Sequence, residues 1–399
     1  MAHNRTQLLI LGGGQLGRML GASAARLDIE LTVLDPTRDC PAAATAGRQV
    51  AASFTDFDAV VAAAADADVV TVEIEHVSIA ALREIARGGT PTRPGALVLE
   101  TIHDKLTQRQ TLHDAGVPGP RFAALPEAGS PGGPDVAGGG AAGAAAAAFG
   151  LPAVQKLRFG GYDGRGVAVL YRDTDEMPLS GPSYLEELVD IDTELSVLVA
   201  RGPSGETATY PPFEMEMDPE LNLVQAVLYP AAISASVAAE ATRVAEQAVA
   251  AIDGVGMNAV ELFLTTDGRV LVNEIAPRPH NSGHLTIEAA ETDQFEQHLR
   301  AIIGLPLGST RMRGPAVMRN LIGSGTEGPT TYHGLAEVLA LEGAHVHLYG
   351  KRVSRPGRKM GHLTVCRAER AEAAAAAAAA AEAIRITGSG DTVSQRSAK

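Results

Sequence analysis

The sequence lacks the features that would direct it to an oxidising compartment or a membrane. Its 399 residues include two cysteines, Cys40 and Cys366, too few for a disulfide framework, so we expect a reducing environment. No uncharged apolar run reaches about 18 residues, which argues against a membrane-spanning helix. The first residues lead directly into an apolar strand, without the hydrophobic region of a signal peptide. These absences predict a cytoplasmic protein with no membrane partner.

The sequence is also short of positive charge. Its formal net charge is −14, whereas a nucleic-acid-binding protein is normally basic or carries a basic stripe, so we expect no nucleic-acid partner. The exception is residues 351–359, where five cations occur in nine residues. In an acidic chain this cluster is either a local anion site or a solvated turn, and we favour a site for a phosphate group.

What the chain does contain is a pattern of alternating strands and helices. Its length predicts two or three domains. Short apolar runs at 7–11, 30–34 and 69–74 are separated by helical patterns, which predicts a parallel, doubly wound sheet over residues 1–105. A smaller domain with several strands is expected from about residue 311 to 399.

Two segments have compositions that predict little defined structure. Residues 124–148 are rich in Ala, Gly and Pro, which indicates a surface insertion, either flexible or a weakly specified helix. Residues 386–399 are polar and are expected to form a frayed tail.

The first glycine-rich segment has two possible uses. Residues 12–17 match G-x-G-x-x-G between a strand and a helix, and Asp35 ends the next strand, which together form the dinucleotide-binding fingerprint. The same glycines also suit a tight turn with close packing of helix on strand and no ligand. The later motifs disfavour an NAD-dependent oxidoreductase, which remains an alternative here.

A second glycine-rich segment, residues 156–166, lies between two predicted strands and is expected to be a hairpin loop. Its glycines allow backbone N–H groups to turn toward phosphates, while Lys156 and Arg165 supply cations. Downstream, the short apolar run that ends at Val189 lies between Glu186 and Glu194. That arrangement is typical either of a pocket for adenine and ribose or of an ordinary acidic turn.

Glu261 and Glu274 are the strongest candidates for binding a metal ion. The Asp-Gly turn at 265–268 predicts a hairpin that places their strands side by side, with Cβ atoms roughly 4.5–8 Å apart. Two such carboxylates, helped by the Asn273 amide, suit Mg²⁺ ions that are also bound by phosphates. The alternative is a pair of solvated edge carboxylates, although burying an unpaired carboxylate between apolar neighbours would be costly.

The segment that follows Glu274 carries many polar side chains, and two prolines, Pro277 and Pro279, stiffen its backbone. Arg278 is suited to holding a phosphoryl or carboxyl anion, and His280 to acid–base chemistry or hydrogen bonding. A single histidine is more often structural, but this one lies among several polar neighbours.

Taken together, these motifs resemble the ATP-grasp superfamily, and within it the N5-carboxyaminoimidazole ribonucleotide synthetase family. The segments that carry the resemblance are ILGGGQLGRML at 10–20, TVEIEH at 71–76, FGGYDGRG at 159–166, and residues 273–284 and 349–362. The resemblance implies a mixed α/β and α+β chain. It would have a Rossmann-like domain over 1–105, an ATP-grasp domain over 106–310 with a lid at about 118–185, and a small β-rich domain over 311–399.

The resemblance also implies roles for individual residues. ATP would be bound by Lys105, Lys156, Gly161, Tyr162, Asp163, Gly164, Arg165, Gly166, Glu186, Val189, Glu194, Asn273 and Glu274. The ribonucleotide would be held by Glu73, Tyr162, Asp163, Arg165, Lys351 and Arg358. Catalysis would fall to Arg278, His280, Asn281 and Lys351, and the metal to Glu261 and Glu274.

The implied reaction joins 5-aminoimidazole ribonucleotide to bicarbonate with ATP and Mg²⁺, two ions being possible, through carboxyphosphate. The implied assembly is a homodimer. A formate-dependent glycinamide ribonucleotide transformylase would share the nucleotide-binding groups and is the nearer alternative. An ATP-binding pseudo-enzyme is disfavoured because the set of Glu261, Glu274, Arg278 and His280 is intact. Residues 213–217 depart from related sequences, which often have a histidine near the adenine pocket.

Overall fold

The N-terminal part of the chain is a parallel α/β unit. The structure is a computed structural model that describes residues 5–125, 140–160, 166–171 and 178–388. The sheet has the order β3-β2-β1-β4, and all its neighbours are parallel, as the sequence predicts. Its elements are β1 Gln7–Leu11, α1 Gln15–Arg26, β2 Glu30–Leu34, a 3₁₀ turn Pro41–Ala44, β3 Arg48–Val50, α2 Phe57–Ala63, β4 Val69–Val72, α3 Ile79–Arg87 and α4 Ala96–His103.

A small antiparallel sheet follows, with the strand order β5-β8-β6-β7. Strands β6 and β7 pair as a hairpin, so the predicted hairpin around the second glycine-rich segment is confirmed. Of the Ala/Gly-rich insertion, the described end forms a helix, and residues 126–139 lie outside the described residues. The elements are α5 Lys105–Asp114, β5 Phe122–Ala124, α6 Gly140–Phe149, β6 Ala153–Leu157, β7 Val167–Leu170 and β8 Ser183–Glu187.

The centre of the molecule is a large, mainly antiparallel sheet with α7 packed on it. Alternate apolar residues of β9, β13 and β14 bury their side chains against α7, which forms the largest core cluster. The predicted hairpin of two carboxylate-bearing strands is present as β13 and β14. The elements are β9 Ile191–Arg201, β10 Thr207–Thr209, β11 Phe213–Asp218, β12 Leu223–Tyr229, α7 Ala235–Ile252, β13 Gly256–Thr265, β14 Val270–Ala276, a 3₁₀ turn Asn281–Gly283, α8 Thr286–Ala289 and α9 Gln294–Ile303.

The C-terminal strands continue this same sheet. Strand β15 pairs antiparallel with β12 and then with β19, so one sheet of 12 strands passes through both regions of the described chain. The elements are β15 Ala316–Ser324, β16 Gly328–His333, α10 Leu335–Leu339, β17 Ala344–Leu348, β18 Val353–Ser354, β19 Lys359–Cys366, α11 Arg370–Ala383 and β20 Arg385–Gly388.

The prediction of a polar tail from residue 386 is wrong at its start. Strand β20 lies between β15 and β16, and Ile386 is buried in the core beneath α11. The backbone groups of these residues therefore bond to two neighbouring strands instead of water. Residues 389–399 lie outside the described part of the chain.

Helix α9 holds the N-terminal unit against the central sheet. His298 on α9 joins the Thr71 hydroxyl of β4, 2.9 Å away, and accepts the backbone N–H of Met257 on β13 at 3.0 Å. Arg26, at the end of α1, donates to Asp293 at the start of α9 at 2.6 Å. The orientation of the two units is thus fixed by polar contacts as well as by apolar packing. No helix among the described residues is both long and apolar enough to span a bilayer.

Candidate active site

The first glycine-rich turn encloses a side chain of the protein itself. Both carboxylate oxygens of Glu73, just after β4, accept backbone N–H groups of Gly14 and Gly17 at the start of α1. Burial raises the pKa of Glu73 in spite of these two donors. The anion position at this helix N-terminus is therefore filled, which leaves no place for a dinucleotide pyrophosphate.

Glu261 and Glu274 face each other across the hairpin, as directly paired residues of β13 and β14. Lys105, the first residue of α5, donates to Glu274 Oε2 at 2.8 Å, and this ion pair raises the pKa of Lys105 against the effect of burial. Lys105 likewise holds the pKa of the half-exposed Glu274 below its ordinary value, against the effect of desolvation. Burial and the neighbouring charges of Glu274 and Glu194 instead raise the pKa of Glu261 to about 8.

This carboxylate pair fits a divalent cation shared with a nucleotide. Within the described residues, no group of three or more histidine, cysteine or carboxylate side chains is arranged to bind a metal unaided. Mg²⁺ commonly takes one or two carboxylates and completes its shell with water and substrate phosphates. Burial, and after it the charges of Glu274 and Glu194, raises the pKa of Glu261, and a bound cation would favour the ionised carboxylate again.

The second lysine predicted to bind ATP lies in a buried ionic network. Lys156 on β6 is 2.6 Å from Glu186 Oε2 and donates to Asn273 Oδ1 at 3.3 Å. The other oxygen of Glu186 accepts the Tyr184 hydroxyl at 3.0 Å and the Nε of Arg109 at 2.8 Å. Glu186 thus lies within the protein, where it orients Lys156.

Arg278 and His280 lie beside the carboxylate pair. Arg278 Nε is 2.8 Å from Glu75 Oε1, so the TVEIEH segment supplies a carboxylate that orients the guanidinium. His280 Nδ1 lies 3.0 Å from the Ser282 hydroxyl and accepts the backbone N–H of Ser282 at 3.4 Å, which favours the tautomer with its proton on Nε2, 3.6 Å from Glu261 Oε1. Burial, reinforced by Arg278, lowers the pKa of His280 to about 3, so the ring is neutral near pH 7.

Asn281 points away from its neighbours in the segment. Its side-chain amide forms two reciprocal hydrogen bonds with the Asn320 amide of β15, at 2.8 and 2.7 Å. Asn320 also donates to the Val224 carbonyl of β12 at 2.7 Å. The amide of Asn281 therefore joins the segment that follows β14 to the large sheet, with its polar atoms already engaged.

The basic cluster of the C-terminal region lies near both Glu73 and Glu261. Lys351 donates to the Lys359 carbonyl at 2.6 Å and lies near enough to Glu73 for their charges to interact. Burial and the nearby Arg358 lower the pKa of Lys351 to about 8. Arg358 donates to the Val353 carbonyl at 2.6 Å. Lys351 thus brings a cation of one domain to the glycine-rich turn of another.

Of the remaining residues predicted to bind ATP, some lie within the described part of the chain and others lie outside it. Gly166 has a left-handed backbone, φ +81°, and its carbonyl accepts the Leu157 N–H at 2.9 Å, which closes the hairpin. Val189, just before β9, and Glu194, near the start of β9, are both half-buried, and burial raises the pKa of Glu194. Gly161, Tyr162, Asp163, Gly164 and Arg165 lie outside the described residues.

Comparison with known proteins shows which family has this arrangement of domains. Family models match as a ribonucleotide synthetase preATP-grasp domain at 6–103, an ATP-grasp domain at 134–295 and a phosphoribosylaminoimidazole carboxylase C-terminal domain at 316–376. An N5-carboxyaminoimidazole ribonucleotide synthase of Synechococcus elongatus is 40% identical over 364 residues, which cover 89% of this chain and 88% of the relative. The chain belongs to the N5-carboxyaminoimidazole ribonucleotide synthase family.

Solved structures of this family share the whole fold. The synthetase of Thermotoga maritima superposes with a TM-score of 0.86 at 39% identity, covering 96% of this chain and 99% of that one. The synthase of Aspergillus clavatus, in complex with ADP and 5-aminoimidazole ribonucleotide, gives 0.85 at 33% identity, covering 95% and 98%. The predicted ATP-grasp fold is confirmed, and the chain is an ATP-dependent ligase.

Arg109, Glu75 and Asn320 are the site residues that the sequence reasoning missed. Arg109 follows Lys105 by one helical turn in α5, so both side chains lie on one face, which is a signal the sequence does contain. Glu75 lies two residues after Glu73 in a segment already singled out. Asn320 had no local signal, because its partner lies 39 residues away in the sequence.

Proposed function

We propose that the chain carboxylates the exocyclic amine of 5-aminoimidazole ribonucleotide with bicarbonate and ATP, giving the N5-carboxy product, ADP and phosphate in purine biosynthesis. The observation that supports this most directly is the order of charged groups across the site. Lys105 bonds to Glu274, Lys156 bonds to Glu186, Arg278 pairs with Glu75, and Lys351 lies near Glu73. Two anions, a nucleotide and a ribonucleotide phosphate, would thus be held on either side of one reacting centre.

Glu261 and Glu274 would hold Mg²⁺, one ion or two, together with the phosphates of ATP. When bound, the metal would neutralise negative charge on the phosphates during transfer. Lys105 would then exchange its present carboxylate contact for a phosphate. Lys156, held by Glu186 and Asn273, would remain directed at the nucleotide.

Bicarbonate would be bound by Arg278, whose Nε lies against Glu75 and whose Nη1 donates to the Pro279 carbonyl at 3.1 Å, so that Nη2 would face the anion. A bicarbonate oxygen attacks the γ-phosphorus of ATP, ADP leaves, and carboxyphosphate forms. Cleavage of its C–O bond releases CO₂ and phosphate, and the ribonucleotide amine adds to CO₂ while losing a proton. The neutral His280, with its proton on Nε2, would donate a hydrogen bond at this centre.

The ribonucleotide would lie between Glu73 and Lys351, with Arg358 and the Tyr162, Asp163 and Arg165 segment as further contacts. We also propose a homodimer in the cytoplasm, which rests on the family resemblance.

A coupled ADP assay with substrate dropout tests the proposal. ADP release should require ribonucleotide, bicarbonate and Mg²⁺ together, and formate should not replace bicarbonate. Release with formate and glycinamide ribonucleotide would identify the transformylase instead. Absence of ADP with all components would overturn the assignment, and full activity in Glu274→Ala would refute the metal role.

A further inference from the structure

The buried guanidinium of Arg109 joins three parts of the nucleotide side of the molecule. Arg109 lies in α5 and is 4% exposed. Its Nε and Nη2 are 2.8 and 2.7 Å from Glu186 Oε1 on β8, in the small antiparallel sheet. Its Nη1 donates to the Val272 carbonyl at 2.6 Å, and Nη2 donates to the Asn273 carbonyl at 2.8 Å. Those two carbonyls belong to β14 and immediately precede Glu274.

We propose that Arg109 is a positioning residue that fixes Lys156 and Glu274 relative to each other. The cation of Lys156 and the carboxylate of Glu274 would then both be correctly placed when the nucleotide binds. This inference rests on the proposed function. One arm of the guanidinium orders Glu186, which holds Lys156 at 2.6 Å through its second oxygen. The other arms order the backbone that carries Asn273 and Glu274. Arg109 would contact neither substrate.

The chemistry of the contacts requires an arginine. A guanidinium presents several N–H donors in one rigid plane, which is how it reaches a carboxylate and two carbonyls at once. A lysine ammonium at the same place would keep the positive charge but would lose the fixed fork. Although burial alone would raise it, Lys156 and Arg109 hold the pKa of Glu186 below its ordinary value, so the carboxylate stays ionised between them. Without Arg109, one oxygen of Glu186 would lose its two guanidinium contacts, so Glu186 and the Lys156 ammonium paired with it at 2.6 Å would no longer be held in one position.

Two variants and two measurements test the proposal. In Arg109→Met, we expect both the KM for ATP and the Kd for Mg²⁺–ADP, measured by calorimetry, to rise at least tenfold. In Arg109→Lys, we expect both constants to rise about fivefold. The KM for the ribonucleotide should stay within twofold, because Lys351 and Glu73 are untouched. Removing a partner from a buried ion pair can prevent folding. If Arg109→Met does not fold, the Arg109→Lys result decides.

The matched control is Arg201→Met. Arg201 is also a partly buried arginine of the central region, and it pairs with Asp253 at 2.6 Å at the far end of β9. Its loss should lower stability without changing the KM for ATP. Equal losses in kcat for Arg109→Lys and the control, with every KM unchanged, would reduce Arg109 to a structural residue and overturn the proposal. Because ADP binding needs neither bicarbonate nor ribonucleotide, wild-type protein that binds ADP but lacks turnover would refute the proposed function separately.

Discussion

Ionisation of Glu261 opposes the stability of the unliganded protein. Burial, and after it the charges of Glu274 and Glu194, raises the pKa of its carboxyl group to about 8 from an ordinary 4.5. The folded chain therefore binds this proton more tightly than the unfolded chain does, so the stability contributed by the group is present at pH 4.5 and is lost as the pH rises toward 8. A site prepared for a cation is in this way destabilised until the cation arrives.

This argument predicts the behaviour of Glu261→Gln. Without Mg²⁺ and nucleotide, the melting temperature of the variant should exceed that of the wild type at pH 8, and the two should converge near pH 5. Its kcat should fall by about 10²–10³, the order expected for one lost electrostatic contact to the transition state. Thermal melts across this pH range and steady-state assays measure both effects. Equal melting temperatures at pH 8 would contradict the prediction.

The lowered pKa of Lys351 predicts that binding of the ribonucleotide weakens at high pH. Its pKa is lowered to about 8, so the ammonium charge is lost as the pH rises through that value. We expect kcat/KM for the ribonucleotide to fall above about pH 8, while KM for ATP changes little. In Lys351→Arg the charge persists to higher pH, so the decline should move upward. An identical pH profile for the two proteins would show that Lys351 does not cause the limit.

At the scale of elements, the hairpin of β13 and β14 shows what the sequence could predict. The Asp-Gly turn and two apolar strands were enough to place Glu261 and Glu274 side by side. The contacts that orient them come from elsewhere: Lys105 of α5 bonds to Glu274, Arg109 of α5 bonds to the backbone just before it, and the charge of Lys359 on β19 acts on Glu261. The spacing of Lys105 and Arg109 marks one face of a helix, but which strands that face meets depends on how the elements pack, and no spacing along the chain encodes that.

The N-terminus of α9 combines two stabilising roles in one residue. The Asp293 side chain is 7% exposed and accepts the N–H groups of Phe295 and Glu296 at 2.9 Å, besides pairing with Arg26. Asp293→Ala should cost about 1–2 kcal/mol for the lost cap, plus the ion pair. Arg26→Met should cost roughly 0–1 kcal/mol, because Arg26 is 56% exposed.

Urea titrations of the two variants, with Asp293→Asn as the variant that keeps the cap, measure these contributions. We expect Asp293→Asn to resemble Arg26→Met. If Asp293→Asn were as unstable as Asp293→Ala, the charge and not the cap would carry the effect.

For the whole molecule, the predicted boundary near residue 311 comes just before β15, a strand that continues the central sheet. Strand β15 pairs with β12, and Val317 and Leu363 share a core with Ala226 and Leu228. The predicted C-terminal domain is therefore joined to the centre by both hydrogen bonds and apolar packing. Composition and strand spacing indicated where this region starts, but they carry no information on which earlier strand it joins.

A truncation tests this continuity. A chain ending at residue 314 would leave β12 as an open edge above exposed apolar side chains, so we expect it to aggregate. A chain ending at Gly388 keeps every described strand and is the matched control, expected to remain monodisperse by light scattering. A stable, monodisperse 1–314 fragment would contradict the prediction.

The shared sheet has a mechanical consequence. Lys351 and Glu274 lie in segments joined to the same 12-stranded sheet, whereas Glu73 and Lys156 are carried by the two four-stranded sheets. Any adjustment to substrates of different shape must then come from the four-stranded sheets, which are attached through side chains and connecting segments. The distance between Lys351 and Glu274 would therefore stay nearly constant, and it would favour substrates whose charged groups match that distance.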